Sequence, residues 1–160
     1  MLAFIIGLIL VTAASASGGA HPIGKRRFVA RAQSLCVHAK AQIDALPAFP
    51  FRNFDALHPD PTTLVDVGRF FTGPGNEVPI GRSLLRRLEA LGTPPSGQRA
   101  WRRILATFRE FIAVIRREAS AALHADVDTW VKAVRENRLL PGRLAAATKT
   151  FGARRCAIFD

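Results

Sequence analysis

The sequence predicts an all-α domain, an antiparallel up-down bundle of about four main helices in which the last helix is kinked. Apolar residues recur with a helical period in four stretches, and clusters of proline and glycine separate these stretches. No segment alternates apolar and polar residues as a half-buried strand would. The chain has 160 residues, of which 49% are hydrophobic, and this fits one domain with its own core.

The first helix is predicted over residues 28–46. Its apolar stripe consists of Phe28, Ala32, Leu35, Cys36, Ala39, Ile43 and Leu46. Pro47 and Pro50 end this helix, because proline has no amide donor and restricts the residue before it. Residues 48–61 are predicted to form a loop, and residues 62–71 a short helix that ends at the turn residues 73–76.

The longest helix is predicted over residues 98–123, after a shorter one that begins at Pro79. Gly92 and Pro94 close the shorter helix, and Ser96 is the predicted N-cap of the long one. The apolar side of the shorter helix carries Ile80, Leu84, Leu88 and Leu91. The inward stripe of the long helix comprises Trp101, Ile104, Leu105, Phe108, Phe111, Ile112, Ile115, Ala119, Ala122 and Leu123.

The last helix is predicted to begin after a cap at either Asp126 or Asp128. Pro141 and Gly142 interrupt it, so we expect either a kink or two short helices. The inward face then resumes at Leu144, Thr148 and Phe151.

Residues 1–16 have the pattern of a signal peptide. Leu2–Val11 is an apolar run of ten residues, too short for a membrane span, and Ala14–Ala16 fits a small-x-small cleavage site. No Lys or Arg precedes the run, so an uncleaved membrane anchor and a cytosolic protein stay open as alternatives. We expect a secreted or extracytoplasmic protein with a basic flexible lead-in over residues 17–27 and a helical domain over residues 28–160.

The two cysteines, Cys36 and Cys156, are predicted to form one disulfide. In an up-down bundle the end of the last helix lies beside the start of the first, and export would allow the bond to form. The alternative is two buried free thiols, which are common in cytosolic cores. The sequence lacks a C-x-x-C motif, so nothing in it indicates redox catalysis.

The sequence contains no motif that predicts catalysis, a cofactor site or a metal site. The histidines and cysteines lack the spacings of zinc ligands, and Asp126–Asp128 lacks the later residues of a calcium loop. A G-x-S-x-G motif is also missing. We therefore predict no catalytic, cofactor-binding or metal-binding residue, although acid pairs of a small hydrolase would leave no spacing signature.

The chain is strongly basic, with a formal net charge of +11 that comes mainly from arginine. Arg102, Arg109 and Arg116 are heptad-spaced on one flank of the long helix and form a candidate polyanion-binding ridge. The alternative is that their stems cover the edge of the core while their charged ends stay in water. The aromatic residues of this helix face inward, which disfavours base stacking and sequence-specific nucleic-acid recognition.

The sequence resembles a group of small exported all-helical proteins, in part lipoprotein-like, from high-GC bacteria of the actinobacterial type. The matching segments are the signal-like N-terminus, residues 31–36, 41–47, 84–91 and 93–95, and Phe151-Gly152 ahead of Cys156. The chain departs from that pattern in lacking a lipobox, in the 73–78 insertion and in Pro141-Gly142. The resemblance implies an all-α fold with a Cys–Cys tie, and it supplies no activity and no functional residues.

These observations favour a non-enzymatic, extracytoplasmic helical bundle with a binding or structural role at the cell envelope. One alternative is a basic protein that binds nucleic acid, anionic lipid or cell-wall phosphate, and another is a small hydrolase. The sequence leaves the partner open, and an anionic cell-envelope polymer or lipid is one candidate. Contact with a membrane is expected only through an uncleaved N-terminal segment.

Overall fold

The computed structural model describes residues 24–158, which form six α-helices and one short 3₁₀ helix. The α-helices are α1 (Lys25–Asp44), α2 (Pro61–Thr72), α3 (Val78–Ala90), α4 (Gln98–Leu123), α5 (Val127–Asn137) and α6 (Leu140–Phe151), and η1 (Arg154–Cys156) is the 3₁₀ helix. No strand occurs in this range, so the all-α prediction is confirmed. The predicted signal peptide, residues 1–16, lies outside the described residues, as do residues 17–23 of the lead-in.

The predicted boundaries of the first helix and the predicted N-cap of the long helix differ from the structure. Helix α1 begins at Lys25 rather than Phe28, so the last residues of the predicted flexible lead-in form its first turn. Gly97, not Ser96, is the N-cap of α4, with a φ of 76° in the left-handed region that favours glycine. Leu123 was predicted to face inward, but as the last residue of α4 it is 38% exposed.

The last predicted helix is two helices, α5 and α6. The division falls at Arg138 and Leu139, and Pro141 lies in the first turn of α6, where a missing amide donor costs nothing. Asp126 caps α5 by accepting a hydrogen bond from the backbone N–H of Thr129 at 3.0 Å. This bond lowers the pKa of Asp126 and decides between the two predicted capping residues.

Helix α4 is the centre of the fold. It packs against α2, α3, α5 and α6, while α1 packs against α3 and η1. Its buried face is wide enough for these neighbours because buried residues occur at nearly every turn from Trp101 to Ala122. No helix within residues 24–158 is long and apolar enough to cross a membrane.

The largest core cluster joins the two ends of the described chain. The rings of Phe28, Trp101 and Phe151 meet with centroids 5.0 to 6.0 Å apart, and all three side chains are buried. Beside them a disulfide joins Cys36 to Cys156 across a Cα–Cα distance of 5.0 Å. The predicted disulfide is confirmed, and the alternative of two free thiols is wrong.

Candidate functional site

A cleft of about 430 Å³ opens between α1, α4 and α5, and the N-cap of α3 and single residues of α2 and α6 complete its lining. Its lining combines an apolar wall with several ionisable side chains, a combination typical of ligand sites. The lining residues are Lys40, Ile43, Asp44, Phe71, Glu77, Phe111, Glu118, Trp130, Val134, Asn137, Arg138, Pro141 and Ile158.

Glu118 on α4 is the only buried ionisable side chain among the described residues, and it lines this cleft. Its side chain is only 8% exposed. One carboxylate oxygen, Oε2, accepts a hydrogen bond from the Asn137 amide at 3.2 Å, whereas Oε1 is buried and has no hydrogen-bond partner within residues 24–158. A buried acceptor without a partner is costly, and such groups mark places that need explanation.

Burial raises the pKa of Glu118 to about 7. The hydrogen bond from Asn137 acts in the opposite direction but does not offset the loss of hydration. The negative charge of Glu77 raises the pKa further, and the positive charge of Arg117 lowers it. Glu118 therefore changes charge near neutral pH, which is unusual for a carboxyl group.

Glu77 brings a second carboxyl group to the same cleft. It occupies the N-cap position of α3, yet its side chain makes no capping hydrogen bond. Partial burial raises its pKa as well. The cleft thus holds two carboxyl groups whose charged forms are both disfavoured by lost hydration.

Aromatic rings form the wall of the cleft. The rings of Phe71 and Trp130 stack with centroids 6.4 Å apart and an interplanar angle of 27°. Trp130 is fixed in place because its indole N–H donates to the Ala56 carbonyl at 2.9 Å. These rings give the cleft a preformed apolar surface, since α2 and α5 both pack against α4 and the rings belong to the cluster that these helices share.

Two basic residues stand at the edge of the cleft. Lys40 donates to both oxygens of Asp44, at 2.8 and 3.1 Å, and this pair is about half exposed. Arg138 is exposed and forms no ion pair within the described range. The basic groups therefore lie toward solvent, while the carboxyl groups of Glu77 and Glu118 lie deeper.

The three arginines predicted as a polyanion-binding ridge lie on a different side of α4 and are not equivalent. Arg109 donates through Nη2 and Nε to one oxygen of Glu89, at 2.6 and 3.1 Å. Arg102 and Arg116 are exposed and have no acidic partner in the described part of the chain. Two of the three predicted charges are thus unpaired within residues 24–158.

A second groove of about 450 Å³ runs along this ridge and includes Arg102, Arg109 and Trp101. The indole Nε1 of Trp101 is buried and has no hydrogen-bond partner among residues 24–158. Each groove is therefore lined by one of the two tryptophans of the chain.

Sequence reasoning missed Glu118, although the sequence contains a signal for it. Residue 118 follows Phe111 by seven positions and Val114 by four, so it falls on the apolar stripe of α4. An acidic residue on such a stripe predicts a buried carboxyl group. Glu77 has no comparable signal, because only the packing of α3 against α4 brings it to the cleft.

The described residues contain no group of three or more His, Cys, Asp and Glu side chains that could hold a metal ion. Comparison of the chain with models of known protein families gives no match, and neither do comparisons with curated proteins and with solved structures.

Proposed function

We propose that this protein is a non-enzymatic binding protein of the cell envelope, located outside the cytoplasm, and that the cleft at Glu118 is its ligand site. The observation that carries the proposal is Glu118, a buried residue that lines a cleft with an apolar wall and whose Oε1 has no hydrogen-bond partner among the described residues. A ligand group that donates a hydrogen bond to Oε1 would remove the cost of leaving this acceptor unpaired. The apolar wall would bury the rest of the ligand.

Burial raises the pKa of both Glu77 and Glu118, so each carboxyl group carries its charge in the cleft at a cost in hydration. A bound ligand that supplies hydrogen-bond donors would offset this cost, and this supports a binding role for the cleft.

The proposed location draws support from the disulfide. A buried bond between Cys36 and Cys156 suits an oxidising compartment, and disulfides are rare in the cytosol. The signal-like residues 1–16 point the same way. Mass spectrometry of the mature protein after cell fractionation tests this location, with Ser17 as the expected first residue. An intact Met1 in the cytosolic fraction would contradict it.

We also propose that the helices follow an antiparallel up-down arrangement. Two ion pairs support antiparallel packing of α4 against the α5–α6 segment. Glu110 pairs with Arg143, whereas Arg117, later in α4, pairs with Glu136, earlier in the chain. As the residue number rises along α4, the number of its partner falls, and this order is characteristic of antiparallel helices.

A nuclear magnetic resonance titration tests the ligand site, because the two indole N–H signals report on the two grooves separately. A mixed set of cationic, neutral and anionic fragments is added to the ¹⁵N-labelled protein. The expected result is a shift of the Trp130 indole and the Asn137 amide signals by one class of fragment. Shifts confined to the Trp101 indole would contradict the proposed site.

A matched pair of variants extends this test. Val134→Phe places a larger side chain in the cleft, whereas Val37→Phe makes the same change at an exposed position of α1 that does not line it. We expect Val134→Phe to abolish the shifts at Trp130 and Val37→Phe to preserve them. Equal loss in both variants would indicate that the shifts do not come from the cleft.

The second candidate function is polyanion binding along the ridge, favoured by the unpaired charges of Arg102 and Arg116. The test is binding to heparin and to anionic vesicles as a function of salt. If the ridge binds polyanions, Arg102→Ala with Arg116→Ala lowers both the affinity and its salt dependence. Arg69→Ala is the control, because Arg69 is already paired with Asp66 on α2. Salt-insensitive binding, or equal loss in the control, would contradict this function.

A further inference from the structure

We infer that the cleft binds an organic cation, a protonated amine attached to an apolar body, with Glu118 and Glu77 as the acceptors for its N–H groups. This inference rests on the proposed function, since it names the ligand class for the same cleft. It follows from three observations: the few hydrogen bonds that Glu118 and Glu77 receive at the floor of the cleft, the charges around these two residues, and the aromatic rings of the wall.

The floor of the cleft, formed by Glu118, Glu77 and Asn137, has more hydrogen-bond acceptors than donors. Glu118 receives one hydrogen bond, from Asn137, although an ionised carboxylate can accept about four. The carboxyl group of Glu77 receives none from the described residues. An ammonium group carries three donors and no acceptor, so it complements two acceptor-rich carboxylates better than a hydroxyl group or an amide does.

The two carboxyl groups also disfavour each other's charge. The negative charge of Glu77 raises the pKa of Glu118, so a positive charge placed between them would stabilise both ionised forms at once. The interaction is strong because water is largely excluded from the floor of the cleft, where Glu118 is 8% exposed. A neutral ligand would leave this repulsion in place.

The number of carboxyl groups and the wall favour an organic cation over a metal ion. Calcium takes six to eight oxygen ligands, and the floor offers two carboxyl groups and one amide. The stacked rings of Phe71 and Trp130 would instead contact the apolar body of an amine, and an aromatic face attracts a nearby ammonium group.

The charged groups that line the cleft or act on Glu118 belong to α1, to the N-cap of α3, to α4 and to α5 with its C-cap Arg138. Helix α1 contributes the Lys40–Asp44 pair, which is already neutralised, and the N-cap of α3 contributes Glu77. Arg117 on α4 is held by Glu136 of α5. Helix α2 contributes only an aromatic ring to the cleft, and α6 contributes Pro141.

Arg138 is therefore the one unpaired positive charge among the described residues that line the cleft. It would repel a bound cation and attract a bound anion. The sign of its effect on affinity thus identifies the charge of the ligand, independently of Glu118.

The test compares three probes of nearly equal size: phenethylammonium, its neutral analogue 2-phenylethanol and the anion phenylacetate. Calorimetry measures their affinities for the full chain with its disulfide intact, and the Trp130 indole signal locates the site. At pH 8 and low salt we expect phenethylammonium to bind at least about tenfold more tightly than the alcohol, since hydrogen bonds to charged groups contribute more than neutral ones.

Three variants assign the roles of the residues. Glu118→Gln removes the charge and keeps the shape, and we expect it to abolish the preference for the ammonium probe. Glu110→Gln is its control on the same helix, because Glu110 pairs with Arg143 outside the cleft, and it should leave the preference unchanged. Arg138→Gln should tighten binding of the ammonium probe.

The affinity should also depend on pH. Because the pKa of Glu118 is about 7, its ionised fraction increases from about one tenth at pH 6 to about nine tenths at pH 8. The amine keeps its proton over this range, as alkylammonium groups have a pKa of about 10. Binding of phenethylammonium should therefore strengthen about tenfold from pH 6 to pH 8, and Glu118→Gln should remove most of this increase.

The outcomes separate the two proposals. If the alcohol or phenylacetate binds at Trp130 as tightly as the amine, the ammonium inference is overturned while the cleft stays a ligand site. The same holds if Arg138→Gln weakens amine binding. If no probe and no fragment shifts the Trp130 signal, both proposals are overturned. Should Glu118→Gln fail to fold, as judged by circular dichroism, Glu77→Gln provides the same charge test.

Discussion

Replacing Glu118 with Gln should stabilise the protein at pH 8 and have little effect at pH 5. Burial raises the pKa of Glu118 from 4.5 to about 7, so the folded state holds its proton more tightly than the unfolded state. Each pKa unit corresponds to about 1.4 kcal/mol, so this displacement amounts to about 3 kcal/mol. The contribution of the protonated group to stability is fully present below about pH 4.5 and is lost as the pH rises through 7. A glutamine side chain carries no charge and avoids this loss.

The assay is urea unfolding of both proteins at pH 5, 6, 7 and 8 under non-reducing conditions, followed by circular dichroism. At each pH the unfolding free energy of the wild-type protein is subtracted from that of the variant. A plot of this difference against pH should rise for Glu118→Gln, and its slope contains no constant effect of the substitution. Glu110→Gln is the control, since its exposed pair with Arg143 predicts a flat profile. A flat profile for Glu118→Gln, or one that falls with pH, would refute the assignment of Glu118 as a buried acid.

Two further predictions concern stability. Replacing Cys36 and Cys156 together by Ala should lower the unfolding free energy by about 5 kcal/mol, because their sequence separation of 120 closes a long loop in this chain of 160 residues. Denaturant unfolding measures this, and a loss below about 1 kcal/mol would contradict it. Gly68→Ala should cost about 1–3 kcal/mol, since its Cβ would lie 2.6 Å from the backbone nitrogen of Leu123. Gly142→Ala is the matched control, because its Cβ would meet nothing within 4 Å; equal melting temperatures in the two variants would contradict the close approach of α2 and α4.

The helices could be predicted because each one carries its own local pattern. The stripe of α4 and the proline-rich breaks appear within short windows, and the structure places them nearly where the pattern does. The arrangement of the helices could not be predicted in the same way. Phe28, Trp101 and Phe151 come from three distant segments, and nothing in any single segment indicates that their rings meet.

The site was predictable only in part, for a similar reason. The position of Glu118 on the apolar stripe is a local signal, whereas its approach to Glu77 depends on how α3 packs on α4. The arginine ridge shows the opposite case. Its heptad spacing is visible in the sequence, but the pairing of Arg109 with Glu89 depends on a neighbouring helix and reduces the charge available there.

The instability caused by Glu118 and the ligand proposed for it are two aspects of one interaction. A site that holds an ionisable group in an unfavourable state gives up stability that a complementary ligand can restore. At pH 8 an ammonium group would stabilise the charged form of Glu118, and glutamine at this position would remove the same unfavourable charge by substitution. Stabilisation by Glu118→Gln and stabilisation by a bound cation therefore cannot add. Once the substitution has removed the unfavourable charge, the cation has no such charge to stabilise. This non-additivity is expected only if the buried charge, and not the apolar wall alone, determines what the cleft binds.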